Sequence, residues 1–397
     1  MILGYEKETL IAAKGIATAS EIQQQPATWL ETLGMVDKER NAIDQFITPL
    51  LMQGNLRIIL TGAGTSAFAG RALAPYLSAR LNGRVESIPS TDIVTDPKEY
   101  LDQDTPTLLV SFARSGNSPE SVAAVDLASS LVSKCYHLVL TCNAEGKLYQ
   151  RCQKEGRSLA LLMPPQTNDR SFAMTSSLTS MMLTCLTVFL PKRFNQHACT
   201  SLAGVSEAIL KQVVQTVPAW NEPLPQRVIY LGSGSLQGVA QEAALKLLEL
   251  TSGRLIAMFD SPTGFRHGPK SVVDSNTLIV QMISNDPYTR QYDLDLLNEL
   301  RRDGVAARVV ALADIPDNRI EAGEYIYLPQ TQRGDDAELA FCYLLYAQFY
   351  AFHTSMMLGI NPDNPCPSGR VNRVVQGVTI YPYPEQNLSK PSCATVY

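Results

Sequence analysis

Three charged side chains, Glu242, Lys246 and Glu249, fall four and three residues apart in the stretch QEAALKLLEL. On a helix, at about 100° per residue, they share an arc of about 60°, with Ala244, Leu245, Leu247 and Leu248 covering the other side. Two carboxylates and an ammonium on one face, just beyond a glycine turn at the end of an apolar strand, are an unusual arrangement for a plain core helix. The same spacing also suits a solvated face of i,i+4 ion pairs. A histidine follows in the Gly/Pro-rich loop GFRHGPKS, flanked by Arg266, Gly268, Pro269 and Lys270. Of the chain's four histidines, His267 is the better general acid/base candidate than His137 or His197, and His353, inside an apolar helical run, is expected in the core.

Two further stretches are suited to an anion. GAGTS (62–66) and RSGNS (114–118) each follow an apolar run and each open a helical pattern. Main-chain N–H groups, hydroxyl donors and the positive end of a helix together suit a phosphate, and Arg114 can add a charge-assisted contact. Ordinary turn and N-cap chemistry uses the same residue types. The glycine turns do not continue as GxGxxG, since Ala67 and Gln237 stand at the third position, so a single phosphate fits better than a dinucleotide.

The elements that must carry these residues repeat. Runs beginning at Arg57, Thr107 and His137 recur at Arg227, Thr277 and Ala307, each 170 positions later. This is an internal duplication. Uninterrupted apolar strands alternating with helices imply an α/β fold of two tandem doubly wound parallel sheets, each an α-β-α sandwich. The expected division is a helical extension over 1–45, one domain over 46–215, a second over 216–381 and a tail over 382–397. Pro218, Pro223 and Pro225 mark the link between halves. The second-half counterpart of the serine loop, MISNDP (282–287), has lost Ser-Gly and gained an acid, so phosphate is expected in the first half only.

Composition excludes several classes. A net charge of −5 argues against a nucleic-acid partner. The eight cysteines form no CxxC pair and several sit inside apolar runs, which suits a reducing, cytoplasmic compartment. No HxxxH or HExxH spacing occurs, and neither a metal nor a cofactor is expected. MILGYEKETL lacks a continuous apolar run and the longest apolar stretches, such as MMLTCLTVFL, are too short for a membrane span, so neither a secretory signal nor a membrane partner is expected.

Taken together, GAGTS, RSGNS, SFAMTSS (171–177), EAALKLLE (242–249), FRHGP (265–269), RVVQGVTIY (373–381) and the early EIQQQP (21–26) are recognisable. Across residues 20–385 the chain resembles a tandem pair of sugar isomerase (SIS) domains, like the isomerase half of glucosamine-6-phosphate synthase. Within that family it is most similar to the AgaS type, known as galactosamine-6-phosphate deaminase or tagatose-6-phosphate ketose/aldose isomerase. The resemblance implies that Ser66, Ser115 and Ser118 hold a sugar phosphate, with Thr65 and Gly116 lending backbone. It implies Glu249 as the base between C2 and C1, His267 of a neighbouring subunit as the ring-opening group, and Glu242 and Lys246 as groups that position the open chain and tune Glu249. It further implies a homodimer or dimer of dimers with shared active sites. Three positions depart from the synthase pattern: Ala113 replaces a phosphate serine, Arg114 a glutamine and Gln376 the C-terminal lysine. The expected reaction converts galactosamine 6-phosphate to tagatose 6-phosphate and ammonia. Aldose–ketose isomerisation and a non-catalytic sugar-phosphate sensor are the alternatives.

Overall fold

A computed structural model describes residues 1–81, 83–329, 333–375 and 377–384. Gln376, Cys393 and all but the first three residues of the expected 382–397 tail therefore lie outside the described residues. The first half holds β1 (Arg57–Thr61), β2 (Arg84–Ser87), β3 (Thr107–Ala113), β4 (Cys135–Thr141) and β5 (Ser158–Leu162) in the parallel order β2-β1-β3-β4-β5. The second holds β6 (Arg227–Leu231), β7 (Ile256–Asp260), β8 (Thr277–Met282), β9 (Arg308–Ala313) and β10 (Tyr325–Tyr327). Their order, β7-β6-β8-β9-β10, is the same and again parallel. Both faces of such sheets must be covered, which is why the strand sides divide between separate cores: Ile58 and Leu60 enter the main cluster and Ile59 another.

The duplication is visible in the pairing itself. Arg57 pairs with Thr107 and Arg227 with Thr277, so the 170-residue offset holds at the centre of both sheets. It does not hold at the third strand. Leu109 pairs with His137 but Ile279 with Val309, a slip of two residues that the longer connection before β9 absorbs. The apolar run at 307 matches by composition, whereas register is set by backbone pairing.

The halves meet through the helices that follow β1 and β6. The helix Thr65–Ser78 packs on Ser235–Leu250, each entered through a left-handed glycine, Gly64 (φ +56°) and Gly234 (φ +54°). At the crossing, a Cβ on Gly238 would lie 2.4 Å from the amide nitrogen of Ala72, so only glycine permits this approach. The long helix Asp336–Met357, buried along nearly its whole length and started by an Asp335/Glu338 capping box, packs on Ser235–Leu250 from another side.

That sandwiching corrects one reading of the charged helix. Its solvent stripe runs through Gln241, Leu245 and Leu248, and Leu248 is exposed, while Glu242 and Lys246 turn inward. The ion-pair face is not solvated, because the side away from the sheet is itself covered.

The N-terminal helices Ile16–Gln23 and Gln25–Lys38 close the first half. Trp29 donates its indole N–H to Thr179 Oγ1 (2.9 Å) and stacks edge-on against Phe341 at 5.2 Å. Among the described residues no helix is long and apolar enough to cross a membrane.

Candidate active site

The turns after β1 and β3 open together at the carboxyl ends of the first sheet, where doubly wound folds bind ligands. Thr65, Ser66, Arg114, Ser115 and Ser118 line one cleft of about 190 Å³ there, together with Phe172, Met174, Glu249 and Arg373. Gly116 (φ +66°) makes the turn rather than the wall; its Cα face lies against Gly146. Glu249 reaches this cleft from the second half and also borders an adjoining cleft of about 490 Å³, shared with Phe172, Leu248, Cys366 and Arg370. The catalytic candidate thus stands at the seam of two openings.

Behind Glu249 the charges form a chain. Lys246, 0% exposed, donates to Glu249 and lies 3.4 Å from Glu242 Oε1. Thr65, from the first half, donates its hydroxyl to Glu242 Oε1 at 3.2 Å. Burial would lower the Lys246 ammonium, but Glu242 and Glu249 outweigh it and raise its pKa. Glu242, 2% exposed, is pushed up to about 7 by burial, against the pull of Lys246, and its Oε2 has no hydrogen-bond partner among the described residues.

A carboxyl raised in this way binds a proton more tightly folded than unfolded. Its contribution is full below the ordinary glutamate value of 4.5 and is lost as pH rises towards 7. Asp293, buried and pushed up to about 6, adds a second loss in the lower part of that window. Thermal melts should therefore show stability falling between pH 5 and 7.5, and Glu242→Gln should fall less steeply. An unchanged slope in that variant would mean Glu242 is ionised throughout.

Arg114 is placed differently from a free phosphate ligand. Its guanidinium donates to the carbonyls of Ser171 (3.4 Å) and Phe172 (3.2 Å) and to that of Arg373 (3.0 Å). Burial, then the neighbouring Arg373, lowers its pKa. His267 is exposed and is not among the residues lining either cleft. Its flanking cations are engaged elsewhere: Arg266 with Asp295 (2.8 Å) and Glu299 (2.7 Å), and Lys270 with Glu299 and Asp303. His353 is only half-buried, hydrogen-bonded to the Tyr5 hydroxyl at 2.6 Å, and His137 is buried on β4 against Ser129.

In the second half the corresponding loop is closed by the chain's own carboxylate. Asp336 accepts from the Asn285 amide (3.0 Å) and the Ser284 hydroxyl (2.6 Å), and Asp293 accepts from the Ser284 amide (2.9 Å). An anion would meet carboxylates at this loop.

Sequence reading missed Asp169 and Arg373. Asp169 accepts from the amides of Thr175 (2.8 Å) and Ser177 (2.9 Å) and so caps the helix Ser176–Phe189. An acid just ahead of a Ser/Thr cluster and a long apolar helix was the available signal. Among the described residues no group of three His, Cys, Asp or Glu side chains could hold a metal.

Known proteins are similar to this chain in sequence and fold. D-galactosamine-6-phosphate deaminase AgaS of Escherichia coli is 52% identical over 94% of this chain and 97% of its own length. A crystal structure of tagatose-6-phosphate ketose/aldose isomerase from Escherichia coli superposes with a TM-score of 0.88 at 49% identity, covering 94% of this chain and 99% of that one. Glutamine–fructose-6-phosphate aminotransferase (isomerizing) of Pyrobaculum aerophilum is 25% identical over 87% of this chain, which spans 55% of its length. The SIS domain matches residues 50–191 and 225–358, one copy for each sheet, and the chain belongs to the SIS domain family.

Proposed function

We propose that this chain is an amino-sugar phosphate deaminase, converting galactosamine 6-phosphate and water to tagatose 6-phosphate and ammonia. The observation that carries the reading is Glu249, set at the seam of a hydroxyl-lined cleft and backed by a buried ammonium. The relative named for this deamination, half identical along nearly the whole chain, supplies the substrate.

Ser66, Ser115 and Ser118 hold the phosphate, with Thr65 and Gly116 lending N–H groups and Arg114 and Arg373 lending positive charge from the wall. Glu249 takes the proton from C2 of the open chain and returns one to C1. The C2–H electrons pass into a C1–C2 enolamine, and reprotonation at C1 leaves an imine at C2. Water adds to that carbon and the nitrogen leaves as ammonia. Without nitrogen at C2 the same transfer stops at a ketose, which is the isomerase chemistry named for the structural relative.

His267, which lines neither cleft of its own chain, acts in this reading from a second copy, in a cytoplasmic homodimer or dimer of dimers. Glu242 and Lys246 position the open chain, and the Lys246 ammonium holds the Glu249 carboxylate in place. Ammonia release from galactosamine 6-phosphate and glucosamine 6-phosphate, offered in parallel, tests the assignment. Release from the galacto sugar is expected. Binding of both sugars with release from neither would leave an isomerase or a sensor instead.

A further inference from the structure

The early motif 21–26 has no part in the chemistry above, yet its glutamate is buried, 5% exposed, on the helix Ile16–Gln23. A buried carboxylate is costly unless strong donors surround it. The donors of Glu21 come from residues about 150 positions away. It accepts from the Arg170 amide at 2.6 Å, from the Ser171 amide at 3.2 Å and from the Ser171 hydroxyl.

The carbonyls that follow point to the other side. Those of Ser171 and Phe172 receive the Arg114 guanidinium, whose second arm donates to the Arg373 carbonyl. Arg373 returns the contact, donating to the Asp169 carbonyl (2.9 Å) and to Asn168 Oδ1 (3.0 Å). Residues 168–172 are thus a peptide strip held by one carboxylate on its amide side and two guanidiniums on its carbonyl side. Arg114, Phe172 and Arg373 line the small cleft with the three serines. The strip also holds near each other two like charges that would otherwise drive each other apart.

We propose that Glu21 is a positioning residue for the phosphosugar cleft, acting through residues 168–172 on Arg114 and Arg373. The inference rests on the phosphate reading of that cleft. Glu249 comes from a different element, the helix Ser235–Leu250, so Glu21 governs substrate binding rather than the proton transfer. Gln25 is the matching control. It is equally buried, in the same motif, and bonds Thr179 (2.8 Å) and Gln348 (2.6 Å), with no hydrogen bond to the strip.

The test compares Glu21→Ala, Glu21→Gln and Gln25→Ala with wild type for KM, kcat and thermal midpoint on galactosamine 6-phosphate. Glu21→Ala is expected to raise KM about tenfold with kcat within about twofold, the scale of a displaced binding wall. Glu21→Gln, which keeps one acceptor oxygen and the fold, falls between. Gln25→Ala lowers the midpoint and leaves KM. On an Arg114→Ala background, Glu21→Ala adds little, because both act through one strip. An unchanged KM in folded Glu21→Gln and Glu21→Ala, or an equal rise in Gln25→Ala, overturns the proposal. If wild type itself turns over no substrate, the functional reading fails instead. The Glu21 variants are then judged by inorganic phosphate affinity, where unchanged binding overturns the proposal and weakened binding supports it.

Discussion

Glu249→Gln should abolish most turnover while leaving phosphosugar affinity nearly intact. Glutamine keeps the shape and one acceptor for Lys246, but it cannot carry a proton between C2 and C1. General acid–base catalysis contributes about 10²–10⁴-fold, and a group that both takes and returns the proton belongs at the upper end. A fall in kcat of about 10³-fold with KM within a few-fold is therefore expected in an ammonia-release assay. A sensor would show no such loss, and retention of turnover would move the base elsewhere on the cleft.

The second large effect is on stability. Lys246 is fully buried between two carboxylates, and Lys246→Met fills similar space without the charge. Removing one partner of a buried ion pair costs about 3–5 kcal/mol, because the other charge is stranded. Here the stranded group can neutralise itself. Glu242 already sits near 7 with the ammonium present, and without it the pKa rises further. A carboxyl raised in the folded state stabilises at low pH and ceases to as pH rises through its folded pKa. Urea unfolding should accordingly show the full loss at pH 8.5 and a smaller one at pH 6. Equal losses at both would mean that the ammonium is not what keeps Glu242 charged.

The sequence reveals this chain unevenly, for physical reasons. Strands buried on both faces carry unbroken apolar runs, so β1, β3, β6 and β8 could be read directly, and their shared spacing exposed the duplication. The edge strands β2, β7 and β10 could not, being short and partly exposed. Local periodicity placed Glu242, Lys246 and Glu249 on one face. It could not say whether that face met water, since the covering helix Asp336–Met357 lies about a hundred residues further on. Arg114 reads as a phosphate ligand from its loop alone. Its carbonyl partners come from residues 171, 172 and 373, beyond the reach of any local pattern.

The helix crossing at Gly238 bears on how such a site could arise. With the 170-residue offset, Ala72, Tyr76 and Ala79 are the counterparts of Glu242, Lys246 and Glu249. Ala72 is the residue whose amide leaves no room for a side chain on Gly238. Two identical halves assembled as separate molecules would have to carry the same residue at both counterparts, so every acid gained on one helix would appear on its twin. Fusion into one gene lifts that symmetry. One copy is then free to keep alanine at the point of closest approach while the other accumulates carboxylates and a lysine, and the pair evolves as two different parts of a single machine.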